Sequence, residues 1–61
     1  VVAYYHYSPA RKVLRVTYTS GKVYDYLQVP ATVYEALKAA ISKGTFLNQY
    51  IKGHYNYKLI N

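Results

Sequence analysis

The apolar and polar positions change period once along the chain, and that change divides it in two. Val2 to Tyr7 is rich in β-branched and aromatic residues, and Val13 to Tyr18 alternates in the manner of a half-buried strand. Ser8-Pro9-Ala10-Arg11 between them reads as a type I turn, so the two runs form a hairpin. A second connection, Thr19-Ser20-Gly21, offers glycine where a left-handed residue is wanted and leads into a third strand, Lys22 to Leu27.

Charge fixes the register of this second hairpin. Pairing Tyr18 with Lys22 sets Arg15 opposite Asp25 and Val13 opposite Leu27, both compatible pairs. A slip of one residue sets Val16 against Asp25 and turns a whole strand over. The first register puts Leu14, Val16, Tyr18, Tyr24 and Tyr26 on the core side, and it turns Arg15, Thr17 and Asp25 outward.

Beyond Pro30 the period becomes helical. Val33, Leu37, Ala40 and Ile41, flanked by Tyr34, share one face, while Glu35, Lys38 and Ser42 lie elsewhere. Pro30 at the first helical position, or Thr32 as cap with Glu35 completing a capping box, starts the helix. Lys43 in the last turn and Gly44 just past it are expected to end it. Phe46, Leu47, Tyr50 and Ile51 predict a shorter second helix from near Thr45 to Gly53. The tail, Tyr55 to Ile60, alternates weakly, enough for a fourth short strand or a cover over the core. The expected fold is α+β and spans residues 1–61 as one domain: a three-stranded antiparallel sheet, with that optional fourth strand, and two helices on one face.

In this order and spacing, several local features resemble the KTSC domain. They are Tyr7-Ser8-Pro9, Leu14-x-Val16-x-Tyr18, Ser20-Gly21, Tyr24-Asp25-Tyr26, Val29-Pro30, Tyr34 with Leu37, Ser42-Lys43-Gly44, Asn48, Ile51 with Gly53, and Tyr55. The family is a short module found alone in bacterial and phage proteins and appended to the carboxyl end of some lysyl-tRNA synthetases. The resemblance covers nearly the whole chain and implies the fold; for activity it implies RNA binding, through the synthetase connection. Two positions depart from the family: Tyr18 stands where phenylalanine is more usual, and His54 where a basic residue is common.

Composition narrows the chemistry. Sixty-one residues without cysteine make a shallow core with no disulfide staple, and ten tyrosines keep much of it half-wet. The absence of cysteine fits a cytoplasmic setting, and with no apolar run long enough to cross a bilayer and no basic segment preceding one, a soluble module without membrane attachment is expected. Eight Lys and Arg against two carboxylates give a formal +6, which favours anionic partners.

Two carboxylates and two histidines are few for an enzyme. Asp25 is accounted for by Arg15, and Glu35 by the helix start. His6 and His54 lack metal-ligand spacing, so no metal and no cofactor are expected. Tyr18, Tyr24, Tyr26 and Tyr34 read as structural, with hydroxyls able to ring a pocket. The chain's last third, by contrast, interleaves rings and cations in the way that suits bases stacking while phosphates meet positive charge. Within it, Ser42-Lys43-Gly44-Thr45 is the local anion candidate, because a helix would begin there beside a lysine.

The function read from the sequence is therefore a non-catalytic binding module for a phosphate-bearing ligand, RNA first. Lys43, Thr45, Lys52 and His54 would meet phosphate, Tyr55 and Tyr57 would stack, and Asn48 would hydrogen-bond a base or ribose edge. Two alternatives stand beside it: a small homo-oligomer that sequesters a nucleotide messenger between subunits, as some phage counter-defence proteins do, and a protein-interaction module anchored by exposed tyrosines.

Overall fold

The computed structural model describes residues 2–61. Four antiparallel strands form one sheet in the order β1-β2-β3-β4: β1 (Val2–Ser8), β2 (Val13–Tyr18), β3 (Val23–Tyr26) and β4 (Tyr57–Leu59). Between β3 and β4 the chain forms helix α1 (Ala31–Ala39), a single-turn helix α2 (Lys43–Phe46) and a wider helical turn over Leu47–Ile51. The tail thus takes the strand alternative and becomes β4.

The second hairpin has the register that charge selects. Arg15 faces Asp25, and the Tyr18 N–H donates to the Lys22 carbonyl at 2.9 Å. Gly21, at φ +92°, closes the turn by donating its N–H to the Tyr18 carbonyl at 2.9 Å. The first turn runs one residue longer than expected. Lys12 takes the left-handed conformation (φ +55°), and its carbonyl accepts the Val29 N–H at 2.8 Å, which ties the first turn to the segment before α1.

One face of the sheet carries the core. Leu14, Val16, Val29, Leu37, Leu47 and Ile51 are fully buried, and Tyr7 and Tyr26 are nearly so. Each buried tyrosine satisfies its hydroxyl, because an unpaired buried O–H would cost more than the ring gains at the margin. The Tyr7 hydroxyl donates to the Val29 carbonyl at 2.6 Å while its ring stacks on Tyr34 at 4.6 Å. Tyr26 shares a 3.1 Å hydrogen bond with the Tyr18 hydroxyl.

Asp25 faces outward as expected, yet it is only 7% exposed, because Arg15 lies over it in a bidentate pair of 2.7 and 2.9 Å. Across the outer face His6, Arg15, Asp25 and Lys58 stand in one row. The Arg15 hydrogen bonds hold the Asp25 carboxyl below its ordinary range against the opposing effect of burial, and Arg11 and Lys58 add to the lowering.

The helical half departs from the sequence reading in three places. α1 ends at Ala39, with Ala40 extended, so it stops short of Lys43 and Gly44. Ile41, expected on its core face, is completely exposed. The cause is a competing start signal: Ser42 caps α2 by accepting the Thr45 N–H at 3.3 Å, which takes Lys43 and Gly44 into the second helix. Gly44 therefore has no left-handed conformation; Gly53, at φ +81°, is the glycine that ends a helical segment here. At the other end of α1, Pro30 occupies the cap position and no side chain caps it. Glu35 instead meets Lys38 at 3.4 Å, one turn along.

A chain of this size has roughly 3–9 kcal/mol of stability, and Leu37→Ala removes about 2–5 kcal/mol. Thermal melting by circular dichroism should therefore show a weakened or absent transition at 37 °C for that variant, whereas Ile41→Ala should shift stability by less than about 0.5 kcal/mol. The depressed Asp25 carboxyl stabilises the folded state above the unfolded carboxylate value of about 3.9. That contribution is lost as pH falls through the lower, folded value. Urea titrations below pH about 4 should show the decline, and Arg15→Met should remove the Asp25 component of it.

Candidate functional site

The site is assembled by the short segment that leaves the helices and returns to the sheet. In the turn over Leu47–Ile51 the Lys52 N–H reaches back five residues to the Leu47 carbonyl, at 2.8 Å. This wider turn keeps both Leu47 and Ile51 in the core and ends with Lys52 at the rim of the sheet. Gly53 then reverses the chain, and β4 runs back along β3, with Tyr57 opposite Tyr26 and Leu59 opposite Tyr24.

Because β4 faces β3 in that register, four tyrosines meet on the helix side of the sheet. Tyr24 is the hub: its ring lies 5.6 Å from Tyr18, 6.1 Å from Tyr26 and 5.4 Å from Tyr57. Exposure rises outward through the cluster, from 3% at Tyr26 to 59% at Tyr57. The Lys52 ammonium sits over the Tyr18 ring at 5.0 Å, a cation–π contact. Burial, together with the hydrogen bond shared with the Tyr18 hydroxyl, pushes the Tyr26 phenol well above its ordinary range, so this ring stays neutral.

Three depressions share walls here and make one track. A groove of about 340 Å³ runs between Tyr18, Ser20, Lys22, Tyr24 and Lys52. It meets a pocket of about 270 Å³ walled by Tyr24, Tyr26, Lys52, Gly53 and Tyr57. Across Gly53 and Tyr57 lies an open cleft of about 740 Å³, lined also by Gln28, His54, Tyr55 and Asn56. Gln28 holds a left-handed backbone (φ +56°), uncommon away from glycine. Aromatic faces, ammonium groups and side-chain amides thus alternate along one surface.

Of the residues expected at a ligand site, Lys52, His54, Tyr55 and Tyr57 come together on this track. Tyr55 also packs against the core, so its ring is only half-exposed. Lys43, Thr45 and Asn48 line none of the three depressions. The Lys43 ammonium donates to the Ala40 carbonyl at 2.6 Å and to the Lys38 carbonyl at 3.0 Å, satisfying the end of α1. Thr45 is engaged with Ser42 through both its N–H and its hydroxyl, and the Phe46 N–H donates to the Ser42 carbonyl at 3.1 Å. The Ser42–Thr45 segment is therefore an interhelix junction. Asn48 is exposed on the helical turn.

Sequence reasoning left out Lys22, Gln28 and Asn56, and it treated Tyr18, Tyr24 and Tyr26 mainly as core. The missing signal was β4: once the tail is paired with β3, Tyr57 and the β3 tyrosines necessarily share a face. Among the described residues no group of three or more His, Asp or Glu side chains is placed to hold a metal ion, and no helix is long and apolar enough to cross a membrane.

A four-stranded antiparallel sheet with its helices on one face defines the class as a small α+β module. The KTSC domain family model matches residues 1–55, and the chain belongs to that family. A lysine–tRNA ligase from Nostoc sp. and one from Trichormus variabilis are each 39% identical over 57 residues, 93% of this chain and 10% of the ligase. The chain therefore spans about a tenth of the length of those relatives. A protein of Stutzerimonas stutzeri is 42% identical over 52 residues, 84% of this chain and 73% of that protein. The crystal structure of a KTSC domain protein from Yersinia pestis superposes with a TM-score of 0.94 at 28% identity, covering 98% of this chain and 84% of that one.

The Tyr18–Tyr26 pair gives a direct check on the cluster. Spectrophotometric titration in alkali should show one phenol ionising later than the rest, and Tyr26→Phe should remove that late step. Because the folded state holds this proton more tightly than the unfolded chain, with its phenol value of about 10, stability should fall as pH rises above that value.

Proposed function

We propose that this chain is a non-catalytic binding module that receives single-stranded RNA along the track from Lys22 to Gln28. The observation that carries the reading is the position of Lys52, over the Tyr18 ring and on the shared wall of two depressions. A base entering beside Tyr57 would find a ring face, while the phosphate next to it would find an ammonium. Tyr57, at 59% exposure, has a face free for stacking, and Tyr24 behind it holds its orientation by an edge contact. Gln28 and Asn56 bring amide donors and acceptors to the same cleft.

Two further points support a binding role. Asp25 is engaged by Arg15 on the opposite face of the sheet, and Glu35 is on α1, so neither carboxylate lines the track. The relatives that cover the chain most fully include proteins named as lysine–tRNA ligases, which act on an RNA substrate.

Fluorescence anisotropy with a labelled single-stranded RNA of about ten nucleotides tests the proposal. With two phosphate contacts, from Lys22 and Lys52, log affinity should fall against log salt with a slope of about −1.4. Tyr57→Ala should weaken binding by roughly 5- to 150-fold, the range expected for one stacked base, and Lys52→Met should weaken it and flatten the salt slope. Absence of binding at low salt, or binding indifferent to both substitutions, would overturn the reading. Tight binding of a mononucleotide or dinucleotide without RNA binding would do the same, in favour of a nucleotide-sequestering role.

A further inference from the structure

The two ends of the sheet are finished differently. The hydrogen-bonding parity is set by two fixed points, Tyr18 bonded toward β3 and Val23 bonded toward the tail through the Ile60 N–H and the Asn61 carbonyl. Thr17, Arg15 and Val13 consequently turn their backbone groups toward β1, and Val16 and Leu14 turn theirs away from it. Their partners Tyr5 and Tyr7 therefore direct N–H and C=O outward, off the open side of β1.

That open side has little of the protection edge strands usually carry. β1, Val-Ala-Tyr-Tyr-His-Tyr-Ser, contains no Lys, Arg, Asp, Glu or Pro, and its one irregularity lies at Val2/Tyr4, leaving Tyr4–Ser8 regular. β4, at the other end, has only three residues and carries Lys58 at its centre. Tyr4, on the outer face of β1, is 68% exposed.

We infer that β1 is a self-association edge, on which a second copy of this chain adds its own β1 to make a continuous eight-stranded sheet. A two-fold axis through one strand edge makes the pair antiparallel. With His6 opposite the second copy's His6, the two regular Tyr4–Ser8 runs overlap fully, the outward backbone groups of Tyr5 and Tyr7 bond to those of the second copy's Tyr7 and Tyr5, and Tyr4 falls opposite the second copy's Ser8, twice over. Tyr4, which has little cover in the single chain, then packs across a closely spaced pair. The occupant is a second copy because this strand brings no charge to the axis: on a chain of net +6 it is a long edge that two copies can share without opposing cations. An acidic foreign peptide would find no cation on β1 to pair with. The ligand track runs from the β2–β3 turn along β3 and β4 and takes no residue from β1, so the pairing leaves both tracks open and stands independently of the RNA reading.

Sedimentation equilibrium and residue-level hydrogen exchange on the full chain test this. A dimer should form at micromolar concentration, and the Tyr5 and Tyr7 amides, fast in dilute solution, should slow as concentration rises. The double variant Tyr4→Lys, His6→Lys changes only exposed side chains and should weaken the dimer at least about tenfold while the dilute monomer still melts cooperatively, with only a small shift from the second lysine opposite Arg15. Leu59→Lys, at the opposite edge, should leave dimerisation unchanged. A monomer up to about 1 mM, a dimer that survives the double variant, or one lost in Leu59→Lys would overturn the inference, as would unchanged Tyr5 and Tyr7 exchange across the dimer transition.

Discussion

The pairing of Arg15 with Asp25 is the constraint on which the remaining geometry rests. A strand has a side-chain period of two, so a shift by one residue would carry Leu14 and Val16 to solvent and bring Arg15 toward the helices. Asp25 is the one carboxylate in the sheet, and opposing it to an apolar residue would leave it buried without a partner, a costly arrangement. Once the register is held, Tyr24 and Tyr26 must face the helices, and β4, pairing with β3, must bring Tyr57 to the same side. The ion pair stands on the outer face, yet it determines what the inner face displays.

The tyrosines make that inner face possible at this size. A chain this short has few fully buried aliphatic side chains, and Tyr7 and Tyr26 enlarge the core on condition that their hydroxyls find partners. Tyr7 finds the Val29 carbonyl, which ties β1 to the start of α1. Tyr26 finds Tyr18, which joins β3 to β2 across the boundary between core and track. Core and candidate site are therefore continuous: Tyr26 belongs to both, and the rings grade outward to Tyr57 with no break in packing.

Where sequence and structure part, the reason is competition between adjacent signals. The strand half was legible because alternation, a turn glycine and one opposite-charge pair all agreed on a single register. Around Ala40 the signals conflict. Ile41 continues the helical period of Val33 and Leu37, and Lys43-Gly44 has the form of a helix end, but Ser42 is better suited to capping α2 than to extending α1. Lys43 still serves the end of α1 from beyond the helix, as a side chain donating to the carbonyls of Lys38 and Ala40. As a cation that ends α1 it was read correctly, and its place in the last turn was not. At the site, the cation and ring content of residues 52–57 was visible in the sequence, whereas Lys22 and the β3 tyrosines joined it only through the pairing of β4, a contact between segments some thirty residues apart.

The formal charge of the chain overstates what a ligand on the track would meet. Arg15 is paired with Asp25, with Arg11 and Lys58 close enough to act on the same carboxylate. Lys38 lies between Glu35 and the Tyr34 ring, and Lys43 is bound to backbone carbonyls. Lys22 and Lys52 are the lysines that line the depressions, with His54 beside them. Those two lysines give only part of the affinity that the full +6 would imply, and that part weakens with salt. A stacked base contributes roughly 1–3 kcal/mol without such dependence, so on this surface the rings must outweigh the charges. That ordering agrees with the geometry: Lys52 stands over a tyrosine ring, positioned by the same cluster that would receive the base.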